Sequence, residues 1–131
     1  MRVFRCNACG RNLETKAPSC PECGCGDINE FVIRIELCHP AVRHPLSVHK
    51  TMVLGRNNFR LYGEEYGFVS EEQFRLVKAE GGWEIEGIAA KNPTIMNGTD
   101  ITGQGPVPLP DNAVITVGPF KVNVKYVEAK V

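Results

Sequence analysis

Hydrophobic and polar residues alternate along much of the chain after residue 27. In "FVIRIEL" (31–37) and in "FKVNVKYV" (120–127), every second residue is a large apolar one. A period of two is typical of a β-strand with one buried face. Shorter strand-like stretches lie between them, namely "SVHKTMVLG", "QFRLVKA", "WEIEG" and "AVITV", and no amphipathic helix is indicated. The pattern therefore predicts an all-β fold.

Glycine, proline and asparagine mark the turns between these strands. "EGG" (80–82) separates "QFRLVKA" from "WEIEG", and "GP" separates the last two strands. Short strands at regular spacing with such turns predict a β-sandwich. We expect one long early loop, "CHPAVRHP" (38–45), with the three histidines of the chain exposed in it or beside it.

Cysteine dominates the first 27 residues instead. Five of the six cysteines lie within residues 1–25, and four of them form two CxxC pairs separated by ten residues. Two residues between thiolates let a tight turn present both sulfurs to one ion, and two such turns supply the four ligands of a structural zinc site. We predict a zinc ribbon over residues 1–27 and a β-sandwich over residues 28–131. The predicted Zn²⁺ ligands are Cys6, Cys9, Cys20 and Cys23, with Cys25 as a bystander thiol.

Two disulfides or a redox-active CxxC are the alternatives to zinc. Disulfides suit secreted proteins, but the chain begins "MRVFR" without an apolar signal segment. A redox CxxC is normally found at a helix start in an α/β unit, which the pattern does not indicate. No apolar run approaches the ~20 residues needed to cross a bilayer. We expect a cytoplasmic protein that has no membrane partner.

Charge does not point to a nucleic-acid partner. The formal net charge is zero, and residues 1–27 carry four basic and three acidic side chains. Zn²⁺ with four thiolates adds a net charge of about −2, so the loaded ribbon is slightly acidic. A non-specific nucleic-acid binder needs a basic surface. We therefore expect the ribbon to act as a spacer or a protein-docking module.

Three loops contain candidate functional residues, since the loops of a β-sandwich carry its function. "LGRNN" contains Arg56, "GFVSEE" contains Ser70, and "AKNPTIMNGTDI" contains Lys91 and Asn92. A guanidinium, a hydroxyl and an amide suit an oxyanion, because arginine makes bidentate hydrogen bonds to phosphate. Ser70 has no G-x-S-x-G motif and no base beside it in the sequence, so we do not expect an enzyme.

Five stretches, in this order and spacing, resemble a forkhead-associated (FHA) domain over about residues 30–128. They are "VLGR", "VSEEQFRL", "GGWEIEG", "KNPTIMNG" and "LPDNAVITVG". The resemblance implies a β-sandwich that binds threonine-phosphorylated peptides of a partner protein, downstream of a Ser/Thr kinase. The phosphopeptide-binding residues that it implies are Arg56, Ser70, Glu71, Lys91 and Asn92.

The resemblance also assigns each residue a role. Arg56 and Ser70 fall on the phosphate contacts, Asn92 on the residue that grips the peptide backbone, and Lys91 on a polar position facing the ligand. The residues implied to support the site are Gly55, Gln73, Thr94, Asn97 and Gly98.

Two positions depart from the family pattern. Gln73 replaces a supporting histidine, and an amide can still hydrogen-bond the loop. Glu71 stands where a basic or amide residue is common, and a carboxylate beside a phosphate dianion weakens affinity unless it points away. A phosphate-independent interaction domain, or a nucleic-acid-associated factor that uses the ribbon, are therefore the alternative functions. The order of the two modules is similar to that of small archaeal regulators of the archaeal motility filament (archaellum).

Overall fold

Two β-sheets enclose one hydrophobic core in the computed structural model, which describes residues 2–13, 18–79 and 82–130. Side chains are described from residue 4 to residue 128 within these ranges. The larger sheet has eight strands and the smaller has four. The predicted all-β sandwich is confirmed. The fold-defining strands, in chain order, are β1 (Arg2–Cys6), β2 (Asn12–Leu13), β3 (Ile28–His39), β4 (Val42–Val48), β5 (Met52–Leu54), β6 (Phe74–Ala79), β7 (Gly82–Gly87), β8 (Ile95–Met96), β9 (Thr99–Asp100), β10 (Val107–Pro108), β11 (Val114–Val117) and β12 (Phe120–Lys130).

The order of strands in each sheet follows from antiparallel pairing. The larger sheet runs β2-β1-β3-β12-β11-β8-β9, with β4 also paired to β3, and the smaller runs β10-β7-β6-β5. Buried apolar residues of both sheets form the core, and the indole N–H of Trp83 in β7 donates to the carbonyl of Ile33 in β3 at 3.1 Å. The alternation in β3 and β12 thus points one row of side chains at the core, as the sequence predicts.

One edge of strand β3 pairs with two different strands. Its first residues pair with β1, from Ile28 to Val32, and its later residues pair with β4, from Ile35 to His39. Strand β12 occupies the other edge. Twelve residues are long enough for this, because each strand residue spans about 3.3 Å. The cysteine-rich segment is thereby joined to the sandwich as part of one sheet.

The predicted long loop at 38–45 is wrong. Strand β3 continues to His39, β4 begins at Val42, and only two residues form the turn between them. Pro45, which suggested a loop, lies within β4, near a shift in the β3–β4 register. An edge strand tolerates proline, because one of its N–H rows needs no partner.

The histidine prediction is correct only in part. His39 lies in β3, is half-buried and stacks on Phe120 with ring centroids 5.6 Å apart. His44 is exposed but belongs to β4, and His49 is exposed after β4 ends. The stretch "SVHKTMVLG" is accordingly two strands, β4 and β5, separated by residues 49–51. Residues 80 and 81 of the predicted "EGG" turn lie outside the described residues.

Two short 3-10 helices lie between β5 and β6, Arg56–Phe59 and Glu64–Phe68. Phe59 closes the first of them and is fully buried, with its ring centroid 5.0 Å from that of Phe120 and 6.2 Å from that of Phe74. This aromatic anchor fixes the start of a long connection to the core. In the part of the chain that the structure describes, no helix is long and apolar enough to cross a membrane.

Candidate functional site

The end of β5 passes directly against the loop that carries Ser70. A Cβ atom added to Gly55 would lie 1.7 Å from the carbonyl oxygen of Glu71 and 2.7 Å from that of Ser70. Neither backbone atom can move aside cheaply, so any other residue at 55 would push the two segments apart. Gly55 thus permits the close approach that brings Arg56 beside Ser70.

Arg56 is bound to the Ser70 loop at two points. Its backbone N–H donates to the carbonyl of Ser70 at 2.9 Å, and its Nε donates to the carbonyl of Val69 at 2.9 Å. Within the described residues, its two Nη groups make no hydrogen bond or ion pair. The side chain is exposed, so the free face of the guanidinium is oriented and open to an anion.

The buried amide of Gln73 links the two loops of the site. Its side chain is fully buried, and its Oε1 accepts from the backbone N–H of Ser70 at 3.0 Å. Its Nε2 donates to the carbonyl of Asn92 at 2.8 Å and to Oγ1 of Thr94 at 2.9 Å. Both the oxygen and the nitrogen of the side-chain amide are therefore hydrogen-bonded, as a buried amide requires. This geometry explains how glutamine fills a position where histidine is expected.

Thr94 adds a second buried contact between the two loops of the site. It is fully buried, and its Oγ1 donates to the backbone carbonyl of Gln73 at 3.3 Å. Its own backbone N–H donates to Oγ1 of Thr102 at 3.0 Å. The loop that carries Lys91 and Asn92 is thus tied to the residue that precedes β6 on one side and to the segment after β9 on the other.

Asn92 closes the contact between the two loops at the surface. Its Nδ2 donates to the carbonyl of Phe68 at 2.9 Å. Its Oδ1 has no hydrogen-bond partner among the residues that are described. The side chain is half-buried, so this oxygen is placed to accept from an external N–H.

A small cavity of about 240 Å³ opens where these loops meet. It brings together four of the five predicted phosphopeptide-binding residues from three separate parts of the chain. Two cations, one hydroxyl and one amide face one space, without an acidic side chain among them, which favours an anionic ligand. The lining residues are Arg56, Gly67, Phe68, Ser70, Lys91 and Asn92.

Glu71 is the predicted binding residue that the cavity leaves out. It is exposed, and the cavity lining passes from Ser70 to Lys91 without it. Its carboxylate forms no ion pair with the arginines and lysines that the structure describes. The carboxylate of Glu71 is therefore not among the groups that line the cavity.

Asn97 and Gly98 lie away from the cavity, in the two-residue turn between β8 and β9. Asn97 has φ 50°, and its Oδ1 accepts from the backbone N–H of Val114 at 2.8 Å. This contact ties the β8–β9 hairpin to β11. Asn97 and Gly98 form the turn of the hairpin that follows Thr94, and they do not line the cavity.

The four predicted metal ligands converge on one point. The Sγ atoms of Cys6, Cys9, Cys20 and Cys23 all lie within 4.8 Å of one another. Sγ of Cys6 is 3.5 Å from that of Cys23, and Sγ of Cys9 is 3.6 Å from that of Cys20. Tetrahedral Zn–S bonds of about 2.3 Å place sulfurs about 3.8 Å apart. The cluster thus has the size of a tetrathiolate metal site, and its short contacts join the two CxxC pairs to each other.

Each CxxC pair is a tight turn closed by backbone hydrogen bonds. Gly10 N–H donates to the carbonyl of Cys6 at 2.9 Å, and Gly24 N–H donates to that of Cys20 at 2.8 Å. Backbone N–H groups also point at the sulfurs. Hydrogen bonds from Cys9 and then Ala8 lower the pKa of Cys6 to about 6 against the cost of burial, and one from Cys23 lowers the pKa of Cys20.

The thiol of Cys23 shows why the cluster fits a cation. A backbone hydrogen bond from Cys25 lowers the pKa of Cys23, but contact with the sulfurs of the other three cysteines and burial together outweigh it and raise the pKa to about 12. Four thiolates so close repel one another unless a metal ion compensates them. Cys25 stands outside the cluster, and its Sγ accepts from the backbone N–H of Asp27 at 3.4 Å.

The family of the protein follows from this fold together with a match along the sequence. A family model described as "FHA domain" matches residues 52–118, slightly more than half of the chain. The chain belongs to the FHA family. The matched range runs from β5 to the β11–β12 turn and contains every residue of the small cavity.

A solved structure gives the same fold. The FHA domain of an Arabidopsis thaliana hypothetical protein, determined in solution, aligns with a TM-score of 0.54 and 20% sequence identity. The alignment covers 72% of this chain and 82% of that chain. A comparison with curated proteins found no match. FHA domains are in general phosphothreonine-binding modules for protein interaction.

Sequence reasoning missed two residues of this FHA loop site, Gly67 and Phe68, which line the cavity beside Ser70. The signal was present, because "GF" directly precedes "VS" and leaves an aromatic residue in a loop with no alternating partner. It also missed the carbonyl of Val69, which accepts from Arg56. A backbone acceptor of this kind has no signature in residue type.

Proposed function

We propose that the protein binds phosphothreonine on a partner protein through the 240 Å³ cavity. The observation that carries the proposal is the convergence of Arg56, Ser70, Lys91 and Asn92 on that cavity. Three of these residues supply donors suited to a phosphate dianion, and no carboxylate lines the space. The FHA fold supports this reading, since FHA domains generally bind phosphorylated proteins.

Arg56 makes the main phosphate contact in this proposal. Its Nε is already bonded to the loop, so its Nη groups keep one direction and lose little entropy on binding. Hydrogen bonds to charged groups contribute about 1.5–3 kcal/mol. Lys91 adds a second positive charge, and the hydroxyl of Ser70 adds a neutral donor.

Asn92 holds the peptide backbone rather than the phosphate. Its Nδ2 is engaged with the carbonyl of Phe68, while its Oδ1 is available to a backbone N–H of the ligand. A contact with the peptide backbone does not depend on the ligand's side chains. Gly55, Gln73 and Thr94 act only indirectly, because they hold the two loops in register.

The cysteine cluster is proposed to bind one structural Zn²⁺. Four thiolates with tetrahedral spacing and no open position match structural zinc sites. The metal would hold residues 1–27 together as a module that precedes the FHA domain proposed for residues 28–131. Reduced thiolates of this kind suit the cytoplasm, where we place the protein.

The partner is proposed to be a substrate of a Ser/Thr kinase. The order of the modules, a zinc ribbon followed by an FHA domain, supports a role similar to that of the archaeal regulators of the motility filament. No catalytic role is proposed for Ser70. Its hydroxyl has no hydrogen bond to Lys91 or to another base in the part of the chain that the structure describes.

A peptide titration tests the proposed function. One peptide would be prepared with phosphothreonine, phosphoserine or threonine at the same position, and its affinity for the intact zinc-loaded protein measured by calorimetry. We expect binding of the phosphothreonine form, weaker binding of the phosphoserine form and none of the plain form. Equal affinity for the phosphorylated and plain peptides would instead show a phosphate-independent interaction domain.

The salt dependence of DNA binding tests the alternative of a nucleic-acid-associated role. The same protein would be titrated with duplex DNA at two salt concentrations. Affinity that falls steeply with added salt would indicate phosphate-backbone binding by a basic surface. We expect no such binding, because the net charge is zero and the ribbon has no basic excess once it holds Zn²⁺.

A further inference from the structure

Three prolines occupy alternate positions at the edge of the smaller sheet. Pro106, Pro108 and Pro110 are all exposed, whereas Leu109 is 1% exposed. Pro108 lies opposite Glu84 of β7, on the sheet face that points away from the core. Side chains two residues apart in a strand share one face and are about 6.6 Å apart. We call these three exposed rings the proline row.

The backbone at the proline row offers hydrogen-bond acceptors but no donors. Strand β10 is the last strand of the smaller sheet, and the N–H of Leu109 donates to the carbonyl of Trp83 at 2.9 Å. Hydrogen-bonded and non-hydrogen-bonded residues alternate along an antiparallel strand, so the carbonyls of the row point to the open edge. Proline has no N–H. The carbonyls of Pro106 and Pro108 accept no hydrogen bond within the described chain, and that of Pro110 accepts in the turn that follows β10.

An added β-strand does not fit this edge. A strand that pairs with β10 would need N–H donors from the positions that face it, and the proline row supplies none. Prolines at an edge protect a sheet from pairing with the strands of another chain. A partner that binds here must therefore pack on the rings and bring its own donors to the open carbonyls.

The segment that carries the proline row is acidic. Residues 92–120 contain no lysine, arginine or histidine, and their acidic residues are Asp100 and Asp111. Asp111 directly follows the row, and Glu84, opposite Pro108, forms no ion pair with the bases that the structure describes. An acidic surface rich in acceptors is complementary to a partner that supplies donors and positive charge.

We propose that the proline row is a docking surface for a second protein, which presents a groove of aromatic side chains with basic residues at its rim. Aromatic-lined grooves bind proline-rich segments, because flat rings pack on proline rings without a donor from the ligand. The N–H of a tryptophan or the O–H of a tyrosine donates to the open carbonyls. None of the three prolines lines the 240 Å³ cavity, so this surface leaves the proposed phosphate site free.

The test uses a minimal mimic of the groove, because the partner is unidentified. Tryptophan amide combines an indole ring, an N–H donor and a positive charge, and leucine amide is its control without the ring. Each is titrated into the intact zinc-loaded protein, and the backbone amide shifts are followed by NMR. We expect saturable shifts at Val107, Leu109 and Glu84 in the millimolar range, with leucine amide bound about threefold to tenfold more weakly.

Substitutions then locate the contact. Pro108→Ser removes the central ring and should weaken tryptophan amide at least about threefold, whereas Pro119→Ser removes an exposed proline outside the row and should not. Pro106→Ser gives the same comparison should Pro108→Ser self-associate. Glu84→Lys should weaken both amides alike, because it acts on their shared ammonium group. Neither Pro108→Ser nor Glu84→Lys should change the affinity for a phosphothreonine peptide, and thermal unfolding checks that each variant is folded.

Three results would overturn the proposal. One is the absence of saturable shifts in β10 and β7, another is equal binding of the two amides, and the third is unchanged tryptophan amide binding by Pro108→Ser. If Pro108→Ser self-associates while its tryptophan amide binding is unchanged, the prolines only protect the edge strand. A dimer of the free wild-type protein that Pro108→Ser dissociates would also overturn it, since the row would then cover a second copy of the chain.

Discussion

The cysteine cluster and the loop site both gather polar groups from distant points of the chain, but they are held in different ways. In the cluster, only Cys6 and Cys20 are buried, and the local backbone forms two tight turns. In the loop site, the groups that hold the geometry are the fully buried Gln73, Thr94 and Phe59. We expect the first site to depend on the proposed Zn²⁺ for its stability, whereas the second is built before any ligand arrives.

This difference shows how the two sites use binding energy. Zinc bound to four thiolates contributes its binding free energy directly to folding, about 10–16 kcal/mol in small zinc-finger peptides. A preformed site leaves ligand binding energy available for affinity and selectivity. We therefore expect ligand removal to unfold the first site and to leave the second in place.

The largest effect is expected from loss of the metal. Cys20→Ser removes one buried ligand, and the zinc content should fall from one per chain to near zero. Residues 2–13 and 18–28 should lose protection from hydrogen exchange, because Cys6 and Cys20 are the only buried side chains that the structure describes in them. Cys25→Ser is the matched control and should keep one zinc, since its sulfur lies outside the cluster.

Loss of the metal should weaken the sandwich without unfolding it. Strand β1 pairs with β3, and Arg5 forms an ion pair with Glu128 at 2.7 Å, so the sandwich loses part of one sheet edge. A cost of about 1 kcal/mol lowers the melting temperature by about 4–8 °C in a domain of this size. Calorimetry should show one cooperative transition and retained phosphopeptide binding. Loss of that transition would contradict the expected difference between the two sites, because the sandwich would then unfold together with the cysteine cluster.

The next largest effect is expected from Arg56→Ala. The variant removes the oriented Nη groups, and affinity for a phosphothreonine peptide should fall roughly tenfold to several hundredfold. Arg60→Ala is the control, since Arg60 is exposed in the same connection and its guanidinium hydrogen-bonds only Asn57 among the described residues. Equal affinities for Arg56→Ala and the wild-type protein in isothermal titration would reject the phosphate contact.

Gln73→Leu tests whether the loop site is held by its buried amide. The change keeps volume but leaves the N–H of Ser70 and the carbonyl of Asn92 without their partner. Each unsatisfied buried group costs about 1–3 kcal/mol. Chemical denaturation should show a loss of unfolding free energy within that range or somewhat above it. Peptide affinity should fall severalfold, because the two loops separate.

A conservative change at the same position sharpens this test. Gln73→His can still offer a donor and an acceptor, so it should restore most of the affinity that leucine loses. An affinity for Gln73→Leu equal to that of the wild-type protein would mean that the backbone contacts of Arg56 are sufficient to hold the site.

The smallest effect is expected from Glu71→Gln. The carboxylate is exposed and does not line the cavity, so the gain in phosphopeptide affinity should be about twofold or less and should shrink with added salt. Calorimetry at two salt concentrations measures it. A gain of tenfold or more would show that Glu71 faces the phosphate in the complex and that the loop moves on binding.

Local sequence patterns were sufficient to predict much of the fold and of the site. The period-two alternation of β3 and β12, the double CxxC and the order of the Arg56, Ser70 and Asn92 stretches were all readable along the chain. Each depends on the spacing of a few neighbouring residues or on residue type. These features predicted the all-β sandwich, the cysteine cluster and four of the residues that line one cavity.

Long-range contacts decided the rest. Residues 42–48 form a strand because β3 has a free edge for them, although proline and histidine suggested a loop. Gly55 is required by the backbone of Glu71, sixteen positions away, and Phe68 lies against Gly118, fifty positions away. The sequence by itself determined which groups are available, through residue type and local periodicity. Only the tertiary structure decided which of them meet, because sheet register and core packing join segments that have no local signal in common.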